Sequence, residues 1–332
     1  MLNQTLSTAP FWTNQFPQPV NLPTAPSPPA EVDVAIVGSG YTGLNAARVL
    51  ARSGARTAVL ERNSIGSGAS SRNGGMATPG IKQSLTNIVK RYGKARGESF
   101  WQASLAAIDL IEKIVHEENI DCDWERNGHI ALANRRTHFE RLRALGQWYK
   151  QEFGHETTLL SQAELHSEIG TDKYYGGLAD ETSGGLHPAK YVFGLAHAVA
   201  RHGAQLCDNT DVTRIDRHAA GFHVHTNRGV LYAREVLIAT NGYTDHLVQQ
   251  LKRRIFPVGS YTIVTEPLSP ELQERLSPKK RMFYDTKWFL NYFRLTPDGR
   301  MLWGGRNDLS TDLELHESAN RLRNQMGQAF PE

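Results

Sequence analysis

Three glycines between an apolar run and a helical pattern constrain the fold of this chain most strongly. Residues 32–37 are nearly all apolar, which predicts a short strand buried on both faces. The apolar spacing over 41–53 predicts a helix, and a second apolar run at 57–60 predicts another strand. The glycines in the first turn are Gly38, Gly40 and Gly43. Because such crossovers are right-handed, we expect the two strands to be parallel in one sheet.

These glycines, together with an acid at the end of the second strand, fit a dinucleotide. Gly38 permits the tight turn, Gly40 lets the backbone approach a pyrophosphate, and Gly43 lets the helix pack closely on the strand. The helix N-terminus offers N–H groups to the phosphates. Glu61 can accept hydrogen bonds from ribose hydroxyls and repels a 2′-phosphate, which argues against NADP. A turn that merely packs is the alternative, but the whole arrangement favours a dinucleotide containing ADP, either NAD or FAD.

Composition excludes several other classes of protein. The net charge of the 332 residues is only +3, so nucleic acid is not the default partner. No apolar run is long enough to span a bilayer, and the first 30 residues lack the pattern of a signal peptide. Cys122 and Cys207 form neither a disulfide framework nor a zinc site, and we expect two buried thiols and no metal. The sequence therefore predicts a cytoplasmic protein without a membrane partner.

The pattern changes after residue 76, from the dinucleotide unit to helices and then to antiparallel strands. Helices are predicted over 85–118, 138–153 and 188–202, with a possible capping box at Ser161 and Glu164. Strands are predicted at 205–207, 212–215, 222–226 and 230–239, in YTIVTEPL, and in a hairpin around Pro297-Asp298-Gly299. The fold class is therefore mixed α/β (α+β), with a parallel sheet and an antiparallel part.

A second glycine-rich segment favours FAD over NAD. An NAD enzyme usually continues with more alternating strands and helices, which this chain does not. Residues 66–75, GSGASSRNGG, follow Glu61 and could bring the backbone to a second part of the cofactor, with Arg72 facing a phosphate. A flexible surface loop is the alternative for this segment, and an NAD-dependent dehydrogenase remains the alternative for the chain.

From Phe11 onward the chain resembles the FAD-dependent amine and amino-acid oxidases of the D-amino-acid oxidase superfamily, in particular its gamma-glutamylputrescine oxidase subgroup. The resemblance rests on an ordered set of motifs. They are the glycine motif, Phe11-Trp12, RNGG, GGLHPAKY at 184–191, IATNGYT at 238–244, VTEPL at 264–268 and GRMLWGGR at 299–306. It implies a Rossmann-like FAD-binding domain with a parallel sheet and a substrate domain with an antiparallel sheet.

The resemblance also implies roles for individual residues around FAD. Glu61 would meet the adenosine ribose, Arg62 would lie near the adenine, and Val212 would pair its backbone with the adenine. The segment from Ser70 would run under the pyrophosphate toward the flavin ring. The implied cofactor residues are Gly38, Gly40, Gly43, Glu61, Arg62, Ser70, Arg72, Asn73, Gly74, Gly75, Val212, Thr240, Asn241 and Gly242. His187 would start a helix as a structural residue.

The implied chemistry is oxidation of the C–N bond of a small amine or N-substituted amino acid. Hydride passes to flavin N5, water hydrolyses the imine, and O2 as acceptor gives hydrogen peroxide. Tyr261, Tyr292 and Trp303 are candidates for the substrate pocket, with a core position as the alternative for each. No catalytic residue is assigned. The substrate, the choice of oxidase or dehydrogenase, flavin attachment and the oligomeric state stay open.

The predicted domain organisation is discontinuous. Residues 1–30 form an extended arm, 31–84 and 187–250 the FAD domain, and 85–186 and 251–332 the substrate domain. Beside its family the chain is expected to be truncated at its carboxyl end, where a further segment returns to the FAD domain and contacts the flavin ring. A catalytically inactive fragment is therefore a further alternative.

Overall fold

The computed structural model describes residues 7–306 and 314–331. The helices in these ranges are α1 (Phe11–Gln15), α2 (Tyr41–Arg52), α3 (Leu85–Tyr92), α4 (Lys94–Glu117), α5 (Arg136–Phe153), α6 (Gln162–Leu165), α7 (Pro188–Arg201), α8 (Gln249–Lys252), α9 (Pro270–Leu276) and α10 (Leu315–Ala329). The strands are β1 (Glu31–Val37), β2 (Thr57–Leu60), β3 (Met76–Ala77), β4 (His129–Leu132), β5 (Thr158–Ser161), β6 (Gly176–Asp180), β7 (Gly184–Gly185), β8 (Gln205–Cys207), β9 (Val212–His218), β10 (Gly221–Thr226), β11 (Gly229–Ile238), β12 (Tyr261–Val264), β13 (Met282–Asp285), β14 (Asn291–Leu295) and β15 (Met301–Gly305).

The first sheet has the strand order β8-β2-β1-β11-β10-β9. Its first four strands are parallel neighbours, and β11, β10 and β9 continue it as an antiparallel meander. The central pairing of β1 with β11 runs from Glu31 opposite Tyr232 to Val37 opposite Ile238. The predicted unit of strand, glycine turn, helix and parallel strand is confirmed.

Both faces of this sheet are covered, which explains the continuous apolar run in β1. Ile36 and Val59 face the cluster that contains Leu44 of α2 and Val192 of α7. The alternate residues of β1 and β2 pack with β8 to β11 in a separate cluster on the other face, as Ala35 does. Strands buried on both faces cannot alternate polar and apolar residues.

The second sheet has the order β12-β15-β14-β13-β4-β6-β5 and is mixed. The predicted hairpin joins β14 to β15, with Leu295 opposite Met301. The pairing of β13 with β4 is parallel, which the prediction of an antiparallel part did not include. The difference arises because β4 comes from a region whose strongest sequence signal is helical, and its partner is distant in sequence.

The amino-terminal segment differs in part from the predicted extended arm. Residues Phe11–Gln15 form a short helix, and the Trp12 side chain is 2% exposed. Leu22 is buried in the same cluster as Trp12, which also contains residues of α7. Burial of two large apolar side chains accounts for the order of this segment.

The remaining predictions on organisation concern domains, thiols and membranes. Each large sheet takes its strands from the ranges that the prediction assigns to one domain, and the division itself remains a prediction. Cys122 and Cys207 are both buried free thiols. Within the two described ranges, no helix combines the length and apolarity needed to cross a bilayer.

Candidate functional site

A cavity of about 490 Å³ opens at the carboxyl ends of three parallel strands. Val37, Leu60 and Ile238 are the last residues of β1, β2 and β11, and all three line it. This edge of an open parallel sheet is where α/β proteins bind their ligands. The cavity therefore lies where the glycine motif predicted a dinucleotide.

The glycine turn brings α2 against β1 and shapes the cavity wall. Gly38 has φ +106°, and a Cβ atom there would lie 2.8 Å from the carbonyl oxygen of Ala239. A Cβ atom on Gly43 would overlap the carbonyl oxygen of Gly38. Gly38 and Gly40 line the cavity, whereas Gly43 serves the packing behind it. The positive φ of Gly38 and the close packing at Gly43 agree with the sequence, and the approach of a pyrophosphate to Gly40 remains a prediction.

Ser39, inside the glycine motif, fixes the acid at the end of β2. Oε2 of Glu61 accepts hydrogen bonds from the Ser39 amide at 3.0 Å and from the Ser39 hydroxyl at 2.6 Å. The same hydroxyl accepts a hydrogen bond from the Gly66 amide at 2.8 Å. Ser39 is fully buried. Ser39 was not among the residues predicted from sequence, and it holds both Glu61 and the second glycine-rich segment in place.

Arg62 spans one rim of the cavity. Its guanidinium pairs with Asp211 at 2.6 Å and with Asp245, and all three residues line the cavity. Asp245 also caps a short turn by accepting a hydrogen bond from the Leu247 amide at 3.0 Å. The residues predicted in the segment after β11 were Thr240, Asn241 and Gly242 and did not include Asp245, although an Asp that caps a turn is a signal readable from sequence.

The second glycine-rich segment leads from the cavity to the second sheet. The Ser70 hydroxyl accepts a hydrogen bond from the Tyr41 amide at 2.9 Å, at the N-terminus of α2. Ser70, Arg72 and Asn73 line the cavity. Beyond them, a Cβ atom on Gly74 would lie 3.0 Å from the Tyr292 ring, and one on Gly75 would overlap the Leu186 carbonyl oxygen.

The remaining predicted cofactor residues are Val212, Thr240, Asn241 and Gly242, and all but Gly242 line the cavity. Val212, Thr240 and Asn241 line the same cavity as the glycine motif. Gly242 lies beside it, and the nearest atom to a Cβ there would be Pro257 Cβ at 3.9 Å. Lining residues that the sequence analysis did not single out are Val37, Ser39, Tyr41, Thr42, Leu60, Asn63, Ser67, Gly68, Ala69, Thr210, Asp211, Ile238, Ala239, Tyr243, Thr244, Asp245, Leu247 and Val248.

Of the three aromatic pocket candidates, Tyr292 lies on one face of the second sheet, and Trp303 and Tyr261 lie on the other. Tyr292 packs against the cluster that contains α2 and α7, on the side of the second glycine-rich segment. Trp303 is fully buried on the opposite face, stacked on Phe293 at 4.3 Å between ring centroids. Tyr261 packs on that same opposite face. We therefore retain Tyr292 alone of the three as a pocket candidate.

His187 is the N-cap of α7, as a structural role requires. Its Nδ1 accepts a hydrogen bond from the Lys190 amide at 3.3 Å, and its ring lies edge-on to Trp12 at 4.6 Å. Burial lowers the pKa of His187 to about 4, with Lys190 and Arg294 acting in the same direction and Asp123 opposing them. Burial likewise lowers the pKa of His129 to about 4.

These two histidines predict a loss of stability in mild acid. Between pH 6.5 and pH 4 the unfolded chain binds protons that the folded chain does not. The free energy of unfolding therefore decreases as the pH is lowered through this range. Each histidine contributes up to about 1.4 kcal/mol per pH unit. In His187→Asn the new side chain can still cap α7, but it cannot bind a proton. We therefore expect the free energy of unfolding to depend less steeply on pH, by the uptake of about one proton on unfolding. Urea unfolding at pH 7 and pH 5 measures the slope, and an unchanged slope in the variant would contradict the assignment.

The fold and the cavity are typical of dinucleotide-binding α/β proteins, with a second, mixed sheet added. The profile of the FAD dependent oxidoreductase (DAO) family matches residues 33–332, and the chain belongs to that family.

Similarity to individual proteins agrees with this membership. The chain is 32% identical to the probable oxidoreductase OrdL of Haemophilus influenzae, over 85% of this chain and 66% of that protein. It is 33% identical to gamma-glutamylputrescine oxidoreductase of Escherichia coli, over 82% and 64% respectively. The chain thus spans about two thirds of the length of these curated relatives. In fold it is similar to the crystal structure of glycine oxidase from Geobacillus kaustophilus, with a TM-score of 0.76 at 21% identity, covering 91% of this chain and 79% of that one.

Proposed function

We propose that the chain binds FAD in the cavity at the end of the parallel sheet and serves the oxidation of a C–N bond in a small amine or amino acid. The observation that carries the proposal is the continuous wall from the glycine turn through Glu61 to the second glycine-rich segment. The family to which the chain belongs is FAD-dependent.

The residues around the cavity fit the ADP half of FAD. Gly38 and Gly40 present backbone rather than side chains at the start of α2, where a pyrophosphate is favoured. Glu61 is held by Ser39 through Oε2, while its Oε1 accepts one hydrogen bond from the Asn63 amide, which leaves acceptor capacity for ribose hydroxyls. A phosphate on the ribose would meet this carboxylate and be repelled.

The segment that continues from the cavity supports a place for the flavin half. From Ser70 to Gly75 it passes from the N-terminus of α2 to Tyr292 on β14. FAD, when bound, supplies a two-electron acceptor for the hydride on the carbon next to the amine nitrogen. The chain's own task is then to align that carbon and to exclude water from it.

Tyr292 is suited to forming a wall rather than to proton transfer. Burial raises the pKa of its phenol, so the hydroxyl stays protonated at neutral pH. That hydroxyl lies 3.2 Å from the Ser260 hydroxyl. The ring provides apolar surface beside Gly74, as pockets for small ligands usually require.

The names of two relatives support the substrate class. One is a gamma-glutamylputrescine oxidoreductase and another is a glycine oxidase. Both names describe small molecules that carry an amine, and we propose a substrate of this class. Electron balance requires an acceptor for the two electrons removed, and we propose O2, which would be reduced to hydrogen peroxide.

The test is flavin retention followed by an amine panel. The purified protein is incubated with excess FAD or with NAD, desalted, and examined by absorption spectroscopy. We expect flavin bands after FAD and no retained NAD.

Anaerobic addition of amines and amino acids should bleach the flavin bands with a true substrate, and air should restore them with formation of peroxide. Failure to retain FAD at any concentration would contradict cofactor binding. Bleaching that air does not reverse would replace O2 by another acceptor.

A further inference from the structure

The amino-terminal helix α1 contacts the segment that lines the cofactor cavity. The indole Nε1 of Trp12 donates a hydrogen bond to the carbonyl oxygen of Asn73 at 2.7 Å. Trp12 is 2% exposed, and Asn73 lines the cavity. A residue far from the glycine motif in sequence therefore bonds directly to the cavity wall.

Asn73 organises its own segment through its side chain. Its Oδ1 accepts a hydrogen bond from the Gly75 amide at 2.8 Å, and its Nδ2 donates to the Ser70 carbonyl at 2.9 Å. These bonds fix the turn internally. The bond from Trp12 to the Asn73 carbonyl ties the middle of the turn to α1. It lies between two other ties to the rest of the molecule, from the Tyr41 amide to the Ser70 hydroxyl and from the Leu186 amide to the Gly75 carbonyl.

The surroundings of Trp12 join three parts of the fold. The Arg294 guanidinium of β14 lies 5.7 Å from the centre of the indole and donates to the Leu186 carbonyl at 2.6 Å. His187 at the start of α7 meets the ring edge-on. In α1, the helix of Trp12, the side chain of Gln15 donates a hydrogen bond to the Asp298 carboxylate in the β14–β15 hairpin at 2.6 Å. The indole is therefore held from several sides and has little freedom to move.

We propose that Trp12 is a positioning residue for the cofactor. It anchors the Ser70–Gly75 segment in the orientation that the cavity needs, and it links that orientation to the second sheet through Arg294. The proposal rests on the proposed function for its consequence in cofactor affinity. The anchoring itself concerns the protein alone and can be measured without cofactor.

The variant Trp12→Phe removes the N–H donor and keeps an aromatic ring. We expect faster amide hydrogen exchange across residues 70–76 in the cofactor-free protein, and a Kd for FAD that is roughly two- to tenfold higher, as the loss of one hydrogen bond implies. The matched control is Leu22→Ala, which shortens another buried side chain of the amino-terminal segment. Leu22 makes no hydrogen bond to residues 70–76. It should lower the melting temperature while leaving local exchange and the Kd of the folded protein unchanged.

The two measurements separate the possible failures. Unchanged exchange over residues 70–76 in Trp12→Phe would overturn the anchoring. Faster exchange with an unchanged Kd would overturn the link to cofactor affinity. Equal effects in Leu22→Ala would reduce Trp12 to a general packing residue. If the unsubstituted protein bound no FAD, the proposed function would fail, and the exchange data would still decide on the anchoring.

Discussion

Substitution of Gly43 by alanine is expected to abolish measurable FAD retention, because the smallest side chain has no room at that position. Its Cβ atom would overlap the Gly38 carbonyl oxygen and lie 3.2 Å from Ile36 Cγ2. Backbone atoms cannot turn aside as a side chain can, so α2 must move away from β1. The displaced N-terminus of α2 would lose charge-assisted hydrogen bonds to the pyrophosphate, and each bond lost corresponds to a Kd roughly 10- to 100-fold higher. Overpacking of this kind also costs about 1–3 kcal/mol of folding free energy, or more.

The control for this change is the same substitution at a glycine with free space. Outside its own helix, a Cβ atom on Gly327 of α10 would meet no heavy atom of the described residues within 4 Å. Gly327→Ala should therefore bind FAD as the unsubstituted protein does and should be slightly more stable, because alanine favours helix. Titration of each variant with FAD, followed by flavin fluorescence, gives the Kd. A Gly43→Ala protein that is folded and binds FAD normally would show that close packing of α2 on β1 is not required.

The glycine turn could be predicted from sequence because its requirements are local. Gly38 needs a backbone conformation with positive φ, Gly43 needs the absence of a side chain, and Glu61 comes directly after the last residue of the next strand. Each requirement selects a residue type at a fixed spacing. The apolar run of β1 is equally local, because both faces of the strand are buried.

Residues whose role depends on a distant partner could not be found in the same way. The Ser39 hydroxyl reaches a carboxylate 22 positions away, and the Trp12 indole reaches a carbonyl 61 positions away. Ser39 fills a position of the glycine motif that specifies no residue type, and the Phe11-Trp12 motif does not identify the partner of the indole. The parallel pairing of β4 with β13 has the same origin, since a strand pattern does not identify its partner. Tyr292 and Trp303 lie on opposite faces because Trp303 stands opposite Phe293, the neighbour of Tyr292, in the β14–β15 hairpin. Which of the two faces meets the second glycine-rich segment became assignable only with the whole sheet.

The ion pair of Arg48 with Glu118 is the second feature whose removal should have a large effect. Arg48 lies on α2, behind the cavity, and Glu118 follows the last residue of α4. Their closest atoms are 2.6 Å apart, and the two side chains are 5% and 6% exposed. Arg201 and His202 also contact the Glu118 carboxylate, at 3.1 and 3.0 Å. Although burial alone would raise the pKa of Glu118, hydrogen bonds from His202 and Arg48 lower it to about 2.

We expect Glu118→Ala to reduce the free energy of unfolding at pH 7 by about 3 kcal/mol or more, because it leaves the buried Arg48 cation with less compensation. Glu117, which also pairs with Arg48 at 2.6 Å, offsets part of the loss. Glu140→Ala is the matched control: it breaks an exposed pair with Arg143, and we expect it to cost less than about 1 kcal/mol.

A double variant tests whether the cost of Glu118→Ala is that of an unpaired buried charge. In Arg48→Met with Glu118→Leu, both charges are replaced by apolar side chains, and we expect a smaller loss than in Glu118→Ala. Urea unfolding of the four proteins gives the comparison. If Glu118→Ala lost no more stability than Glu140→Ala, the network would have no role in holding α2. If the double variant were the least stable, the pair would stabilise the fold in its own right, and α2 would depend on a charge interaction rather than on packing alone.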